Sequence, residues 1–211
     1  MVVADHQTAG RGRLGRTWDA PPGSSLLLTV LLRPTLDASR LHLVTMAVAL
    51  AAADACEAVA GFSPQLKWPN DLVVAERKLA GILAEAAFEG NVVRWAVVGI
   101  GMNVNWPVDL PAELADIAVA ANHVAGQPVD RERLLGELLA RLEVRYSSLD
   151  ALVKDYRARC ATIGRDVRVE LGGEVLTGRV ADVDDDGHLL VDTGDGVRMV
   201  AAGDVVHVRP G

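Results

Sequence analysis

The stretch Gly10-Arg11-Gly12-Arg13-Leu14-Gly15-Arg16-Thr17-Trp18-Asp19-Ala20-Pro21-Pro22-Gly23 decides how the chain is read. Its first glycines satisfy Gly-x-Gly-x-x-Gly, the dinucleotide fingerprint, but that fingerprint needs a helix to open within them so that a pyrophosphate meets the helix N-terminus. Asp19-Ala20-Pro21-Pro22-Gly23 cannot continue as a helix, so a doubly wound dinucleotide fold is set aside. What remains is a loop with backbone freedom at three glycines and guanidiniums at 11, 13 and 16. Arginine presents a fork of donors suited to carboxylate and phosphate oxygens, and three like charges on one loop repel each other until an anion arrives. The loop therefore reads as an anion clamp, expected to be poorly ordered without its ligand. Trp18 is either a core anchor or a flat surface for a purine ring.

Working outward, Val2-Val3-Ala4 reads as the end of a buried strand, and residues 26–32 as an apolar strand buried on both faces and closed by Arg33-Pro34. Apolar spacing of three and four from Leu41 to Ala55 predicts a helix with Ser39 as N-cap and Gly61 just past its end. Residues 64–105 break into short apolar pieces divided by Glu76-Arg77 and Glu89-Gly90-Asn91, the pattern of a strand meander. Helices are expected over 131–149 and 150–159. After Thr162 come five short strands separated by Gly/Asp turns, including Gly172-Gly173 and closing with 205–208, which indicates a small barrel. Asp184-Asp185-Asp186 lacks the ligand spacing of a calcium loop and reads as a solvated turn.

Half of the 211 residues are hydrophobic, enough for a sizeable core, and the net charge is −7. Residues 1–100 carry nine charges of each sign, so the excess lies in the 12 basic and 19 acidic residues that follow. A nucleic-acid groove needs a basic excess, which disfavours duplex binding. The apolar runs fall short of the roughly 20 residues that cross a bilayer, and the N-terminus lacks signal-peptide features. Cys56 and Cys160, without a Cys-x-x-Cys pattern, read as buried thiols of a cytoplasmic protein. Only three basic residues are lysines, and two of them, Lys67 and Lys78, fall close together.

That lysine-bearing segment is Leu66-Lys67-Trp68-Pro69-Asn70-Asp71-Leu72, followed by Arg77-Lys78-Leu79-Ala80-Gly81-Ile82-Leu83. Asn70 and Asp71 are either turn residues or ligand contacts. Lys78 opens an apolar strand, and Gly81 lets another group approach the backbone. A third segment, Val97-Val98-Gly99-Ile100-Gly101-Met102-Asn103-Val104-Asn105, ends a buried strand in glycines and offers the Asn103 amide to a base or ribose.

In order and spacing, the three segments together with the C-terminal strands resemble the biotin protein ligases over almost the whole chain. The resemblance implies an α/β fold: a mixed-sheet catalytic domain over 1–160, similar to the class II aminoacyl-tRNA synthetase core, then an SH3-like β-barrel over 161–211. It implies an ATP-dependent ligase that activates biotin as biotinyl-5′-AMP and passes it to a lysine of a biotin carboxyl carrier domain of acyl-CoA carboxylases, with Mg2+. Carried over by resemblance, Lys78 and Arg13 are catalytic, with Lys78 bridging the carboxylate and the α-phosphate. Biotin falls to Gln7, Gly10, Arg11, Gly12, Arg13, Lys78 and Gly81. The nucleotide falls to Arg13, Arg16, Trp18, Asn70, Asp71, Lys78 and Asn103: Arg16 at the departing phosphates, Trp18 and Asn103 at the adenine, Asp71 at Mg2+ or the ribose. No general base for transfer is evident, which leaves proximity to a reactive anhydride.

The chain also departs from that family. Its members carry a Ser-Thr-Asn segment ahead of the Gly/Arg loop, whereas Met1 stands only six residues before Gln7. A first strand and helix are therefore expected to be missing, with weakened biotin binding. The winged-helix domain of repressor-type ligases is likewise expected to be missing, and neither nucleic acid nor membrane is an expected partner. A lipoate or octanoate ligase and a truncated non-catalytic homologue are the alternatives.

Overall fold

Short turns force neighbouring strands to run antiparallel, and the turns of residues 64–105 shape the first sheet. The structure, a computed structural model, describes residues 1–171, 173–201 and 203–207; Gly172 and Val208, assigned above to a turn and the last strand, lie outside the described residues. Strands β1 (Val2–Ala4), β2 (Ser25–Leu32), β3 (Gln65–Lys67), β4 (Asp71–Val74), β5 (Arg77–Glu89) and β6 (Val92–Asn103) form one sheet in the order β1-β2-β6-β5-β4-β3. Each pairing is antiparallel, which corrects the expected mixed sheet. The turn between β4 and β5 falls at Ala75 and Glu76, both with positive φ (48° and 64°), one residue earlier than predicted. Two successive left-handed residues match the right-handed twist of a hairpin.

Alternation along these strands separates two faces. Leu26, Met102, Ala80, Leu72 and Leu66 pair in one row and are all buried against helix α1 (His42–Ala60). Residues one step along each strand face away from α1. The expectation that β2 is buried on both faces holds at its start, where Leu26, Leu27 and Leu28 are all buried, and fails at its end, where Leu31 is 51% exposed; the buried strand expected at Val2-Val3-Ala4 is corrected too, since Val2 and Val3 of β1 are exposed. Both lie toward the open side or edge of the sheet, where no helix covers them.

Helix α1 starts at His42, not at a Ser39 cap: Ser39 lies in a preceding 3-10 turn, and Leu41 makes no side-chain capping bond. Gly61 ends it as expected, in the left-handed region at φ 74°. By length and composition the stretch 38–60 could cross a membrane, a longer apolar segment than the sequence runs suggested, but 67% of its apolar window is buried inside the protein. A helix apolar all round belongs in a core. Two short helices, α2 (Ala112–Ala115) and α3 (Ala121–Ala125), were not anticipated. Helix α4 (Arg131–Tyr146) lays Leu134, Leu138 and Leu142 against the core, and α5 (Leu152–Arg159) follows. Asp54 of α1 ties these helices by ion pairs to Arg145 (2.9 Å) and Arg159 (2.7 Å).

The C-terminal sheet comprises β7 (Asp166–Leu171), β8 (Glu174–Val183), β9 (Leu189–Asp192), β10 (Val197–Val200) and β11 (Asp204–His207), antiparallel in the order β10-β9-β8-β7-β11. Its inward residues Val167, Val169, Val180, Leu189 and Val191 continue the core of the first unit. Trp68 seals the joint: its backbone N–H donates to Thr162 Oγ1 (3.0 Å) and its indole N–H to the Gly187 carbonyl (3.0 Å). His42 lies beside Trp68 and His188, and burial together with the neighbouring His188 and Arg13 holds its imidazole below the usual pKa. Both cysteines are free; Cys56 is fully buried, which pushes its thiol up to about 12, while Cys160 is only half-buried.

Candidate functional site

The open face of the first sheet forms the floor of a cleft of about 350 Å3. One register row crosses it: Ala4, Leu27, Gly101, Gly81, Asp71 and Lys67, each paired with the next. Directly paired residues point to the same face, so the glycines leave a shelf where the neighbouring strands carry side chains. Trp18 occupies that shelf. A Cβ on Gly101 would lie 2.6 Å from Trp18 Cε2, and one on Gly81 would meet Trp18 at 3.3 Å and the end of the Lys78 side chain at 3.0 Å. Lys78 Nζ stands 5.7 Å from the indole centroid, within cation–π range. The indole Nε1 is buried without a hydrogen-bond partner among the described residues.

Lys78 is held on two sides. Its Nζ pairs with Asp71 Oδ1 at 2.7 Å, and its main chain bonds to the segment before α3, its N–H donating to the Ile117 carbonyl (2.8 Å) and its carbonyl accepting from Val119 N–H (3.0 Å). Asn103 braces that arrangement, its amide donating to the carbonyls of Lys78 (3.3 Å) and Val119 (3.0 Å). Asn103 is 2% exposed and lies outside the cleft lining, with a buried Oδ1 that has no partner among the described residues.

Over the floor lies the Gly/Arg loop. Trp18 N–H donates to the Gly10 carbonyl at 2.9 Å and Gly12 N–H to the Arg16 carbonyl at 2.7 Å, making a tight hairpin. Gly10 is required there because a Cβ would stand 2.2 Å from the Trp18 carbonyl oxygen; the residue shapes the loop and does not line the cleft. Gly15 (φ 74°) and Leu14 (φ 55°) turn its tip. The guanidiniums find partners within the chain, which corrects the picture of charges without counterparts: Arg11 pairs with Glu85 (3.3 Å), and Arg13 donates to Asn70 Oδ1 (3.3 Å) and to the Gly203 carbonyl (3.1 Å). Asn70 in turn donates to the Ile82 carbonyl (2.8 Å).

From the loop, Gln7, Arg11, Gly12, Arg13, Arg16 and Trp18 all line the cleft; from the strands, Asn70, Asp71, Lys78 and Gly81 do so. Only Gly10 and Asn103 among the sequence candidates stand outside that lining. Sequence reasoning missed Thr29, Leu83 and Glu85, although strand alternation from Gly81 already put 83 and 85 on its face, whereas Gly99 and Gly101 of the third segment do line the cleft. Among the described residues no group of three carboxylate, His or Cys side chains is placed to hold a metal ion. Asp71 is a single carboxylate with one oxygen on Lys78, so the set does not fit a resident metal.

An α/β unit whose open sheet face carries a cationic, glycine-floored cleft, followed by a small antiparallel β unit, is the class these features define. Residues 1–103 match the biotin/lipoate A/B protein ligase family and residues 162–208 the biotin protein ligase C-terminal domain. The chain is 38% identical over 99% of its length to the "Biotin--[acetyl-CoA-carboxylase] ligase" of Mycobacterium tuberculosis, covering 79% of that protein. To the bifunctional ligase/repressor BirA of Bacillus subtilis it is 34% identical over 97% of its length, and it spans 65% of that relative. The biotin protein ligase of Aquifex aeolicus, solved in complex with biotin and ATP, matches with a TM-score of 0.84 at 28% identity, over 99% of this chain and 88% of that one. The chain belongs to the biotin/lipoate A/B protein ligase family, among its biotin protein ligases.

Proposed function

We propose that this chain is an ATP-dependent ligase that joins biotin to AMP and then passes the biotinyl group to a lysine of a biotin carboxyl carrier domain. The observation that carries the reading is the placement of Lys78 beside Asp71 at the glycine shelf, under a loop with three arginines. In the first step a carboxylate oxygen of biotin attacks the α-phosphorus of ATP and the bond to pyrophosphate breaks. Both reactants are anions, so fixed cations at the reacting phosphoryl group lower the barrier. Lys78 is assigned to the carboxylate and α-phosphate, Arg13 and Arg16 to the phosphates, and Gln7, Arg11, Gly12 and Gly81 to the biotin side. In the second step the lysine nitrogen attacks the acyl carbon, the acyl–oxygen bond breaks, AMP leaves and the amine gives up a proton to water.

The adenine is assigned to Trp18 and to Asn103. Trp18 rests on glycines and can give its face to a ring. The Asn103 Oδ1, without a partner among the described residues, suits an exocyclic amine, although that atom is buried and the bond needs an opening of the segment before α3. Asp71 with Asn70 is assigned to the ribose or to the Mg2+ that travels with ATP. The first unit (1–160) is proposed to be related to the class II aminoacyl-tRNA synthetase core, and the second (161–211) to be an SH3-like barrel, supported by its five antiparallel strands. The carrier domain is the proposed partner and the cytoplasm the proposed compartment. Pyrophosphate release from ATP with biotin, lipoate or octanoate tests the substrate: release with biotin is expected, and release only with lipoate or octanoate contradicts the reading.

A further inference from the structure

Arg131 lies outside the cleft lining, yet it joins the two feet of the loop that carries the arginines. It is the first residue of α4, behind Asp130, whose carboxylate accepts from the N–H groups of Glu132 and Arg133, each at 3.0 Å. A cation in the first turn of a helix sits at the unfavourable end of the macrodipole, so partners are needed to hold it there. Two are present: Nη2 donates to Asp5 Oδ1 (2.7 Å) and Nη1 to the Gly23 carbonyl (2.6 Å). The main chain closes at the same point, with Gly23 N–H on the Asp5 carbonyl at 2.8 Å. Between these feet runs segment 6–22, which bears Gln7, Arg11, Arg13, Arg16 and Trp18.

Asn105, which ends the third sequence segment and has no part in the mechanism above, sets the position of that helix start. Its Nδ2 donates to the Val129 carbonyl and its Oδ1 accepts from Val129 N–H, both at 2.8 Å. Its own N–H donates to the Ser24 carbonyl at 2.7 Å, beside the C-terminal foot of the loop. The end of β6, that foot and the entry to α4 are thus one hydrogen-bonded unit, and Arg131 extends it to the other foot.

We propose that Arg131, aimed by Asn105 through Val129, is a positioning residue for the adenylation step: it fixes both feet of segment 6–22 so that the arginines above meet the substrate anions in a prepared geometry. This rests on the ligase reading. The Asp5 carboxylate is 84% exposed and screened by water, so the bond to the Gly23 carbonyl is the stronger arm. Lysine, a single point of charge, can hold one foot but not both.

Two measurements test it. Limited trypsin digestion reads cleavage at Arg11, Arg13 and Arg16 without any substrate, and steady-state kinetics separate KM for ATP from kcat. In Arg131→Ala, loop cleavage and KM for ATP are each expected to rise about tenfold, with kcat within about twofold and Tm unchanged. Arg131→Lys should fall between Arg131→Ala and wild type, and Arg133→Ala, an exposed charge on the same helical turn, should match wild type in both measurements. Wild-type cleavage and KM in Arg131→Ala would overturn the proposal, as would a fall in Tm and kcat with KM unmoved. A wild-type chain without biotin-dependent turnover would refute the ligase reading instead, and the digestion would still decide whether Arg131 holds the loop.

Discussion

On the α1 side of the first sheet, Leu26, Met102, Ala80, Leu72 and Leu66 stand in one register row, none more than 2% exposed. One residue along the same strands, Leu27, Gly101, Gly81 and Asp71 form the row that floors the cleft. The contrast is one of volume. On the helix side each side chain fills space against α1, and removing atoms leaves a hole; on the cleft side missing side chains create the place where Trp18 rests. Because strand alternation separates the rows, stability and binding are assigned to different residues of the same strands.

Substitutions in each row can break that separation. The largest effect is expected for Leu26→Ala, which should lower unfolding free energy by about 3 kcal/mol in a urea titration while leaving the kinetic constants of the folded protein unchanged. Gly101→Ala should do the reverse: its Cβ lands 2.6 Å from the indole of Trp18, so ATP affinity should fall about tenfold in a calorimetric titration with stability altered by less than about 1 kcal/mol. Gly81→Ala should cost only about threefold in the same titration, because its tightest neighbour, at 3.0 Å, is the flexible end of Lys78.

The smallest effect is one of pH. Burial, His188 and Arg13 favour the neutral form of His42 at the start of α1, so its folded pKa lies below that of the unfolded chain. The folded state then binds fewer protons, and His42's contribution is complete above about pH 6.5 and lost as pH falls below it. Denaturation midpoints measured from pH 7.5 down to 5 should decline, and His42→Gln should flatten the slope. A steeper slope in that variant would place the titration elsewhere.

What was legible in the sequence was local. The glycine that ends α1, the hairpin turn at Gly90, the five C-terminal strands and the clamp loop are each specified within a few residues. Lys78 and Asp71 were readable as site candidates because a charge beside an apolar strand and a glycine is unusual. The Trp18 seat was not readable, since it depends on Gly81 and Gly101 pairing across two strands some 20 residues apart in sequence. Nor was the exposure of Leu31, since the continuous run of leucines in β2 hides where the cover over its second face ends. Arg131 and Asn105 escaped notice for a related reason: their partners, at Asp5, Gly23 and Val129, are brought to them only by the fold. Three of the five antiparallel pairings follow from hairpin connections that the meander already contained, whereas β1·β2 and β2·β6 join strands distant in sequence.

The most direct measurement is ATP-dependent transfer of labelled biotin to an apo carrier domain by the wild-type chain and by Lys78→Ala. Labelling of a single carrier lysine by wild type is expected, with a rate at least about 100-fold lower in Lys78→Ala, because the cation facing the developing phosphoryl charge is gone. Transfer at an undiminished rate by Lys78→Ala, or none by the wild-type chain, would contradict the assignment of this cleft.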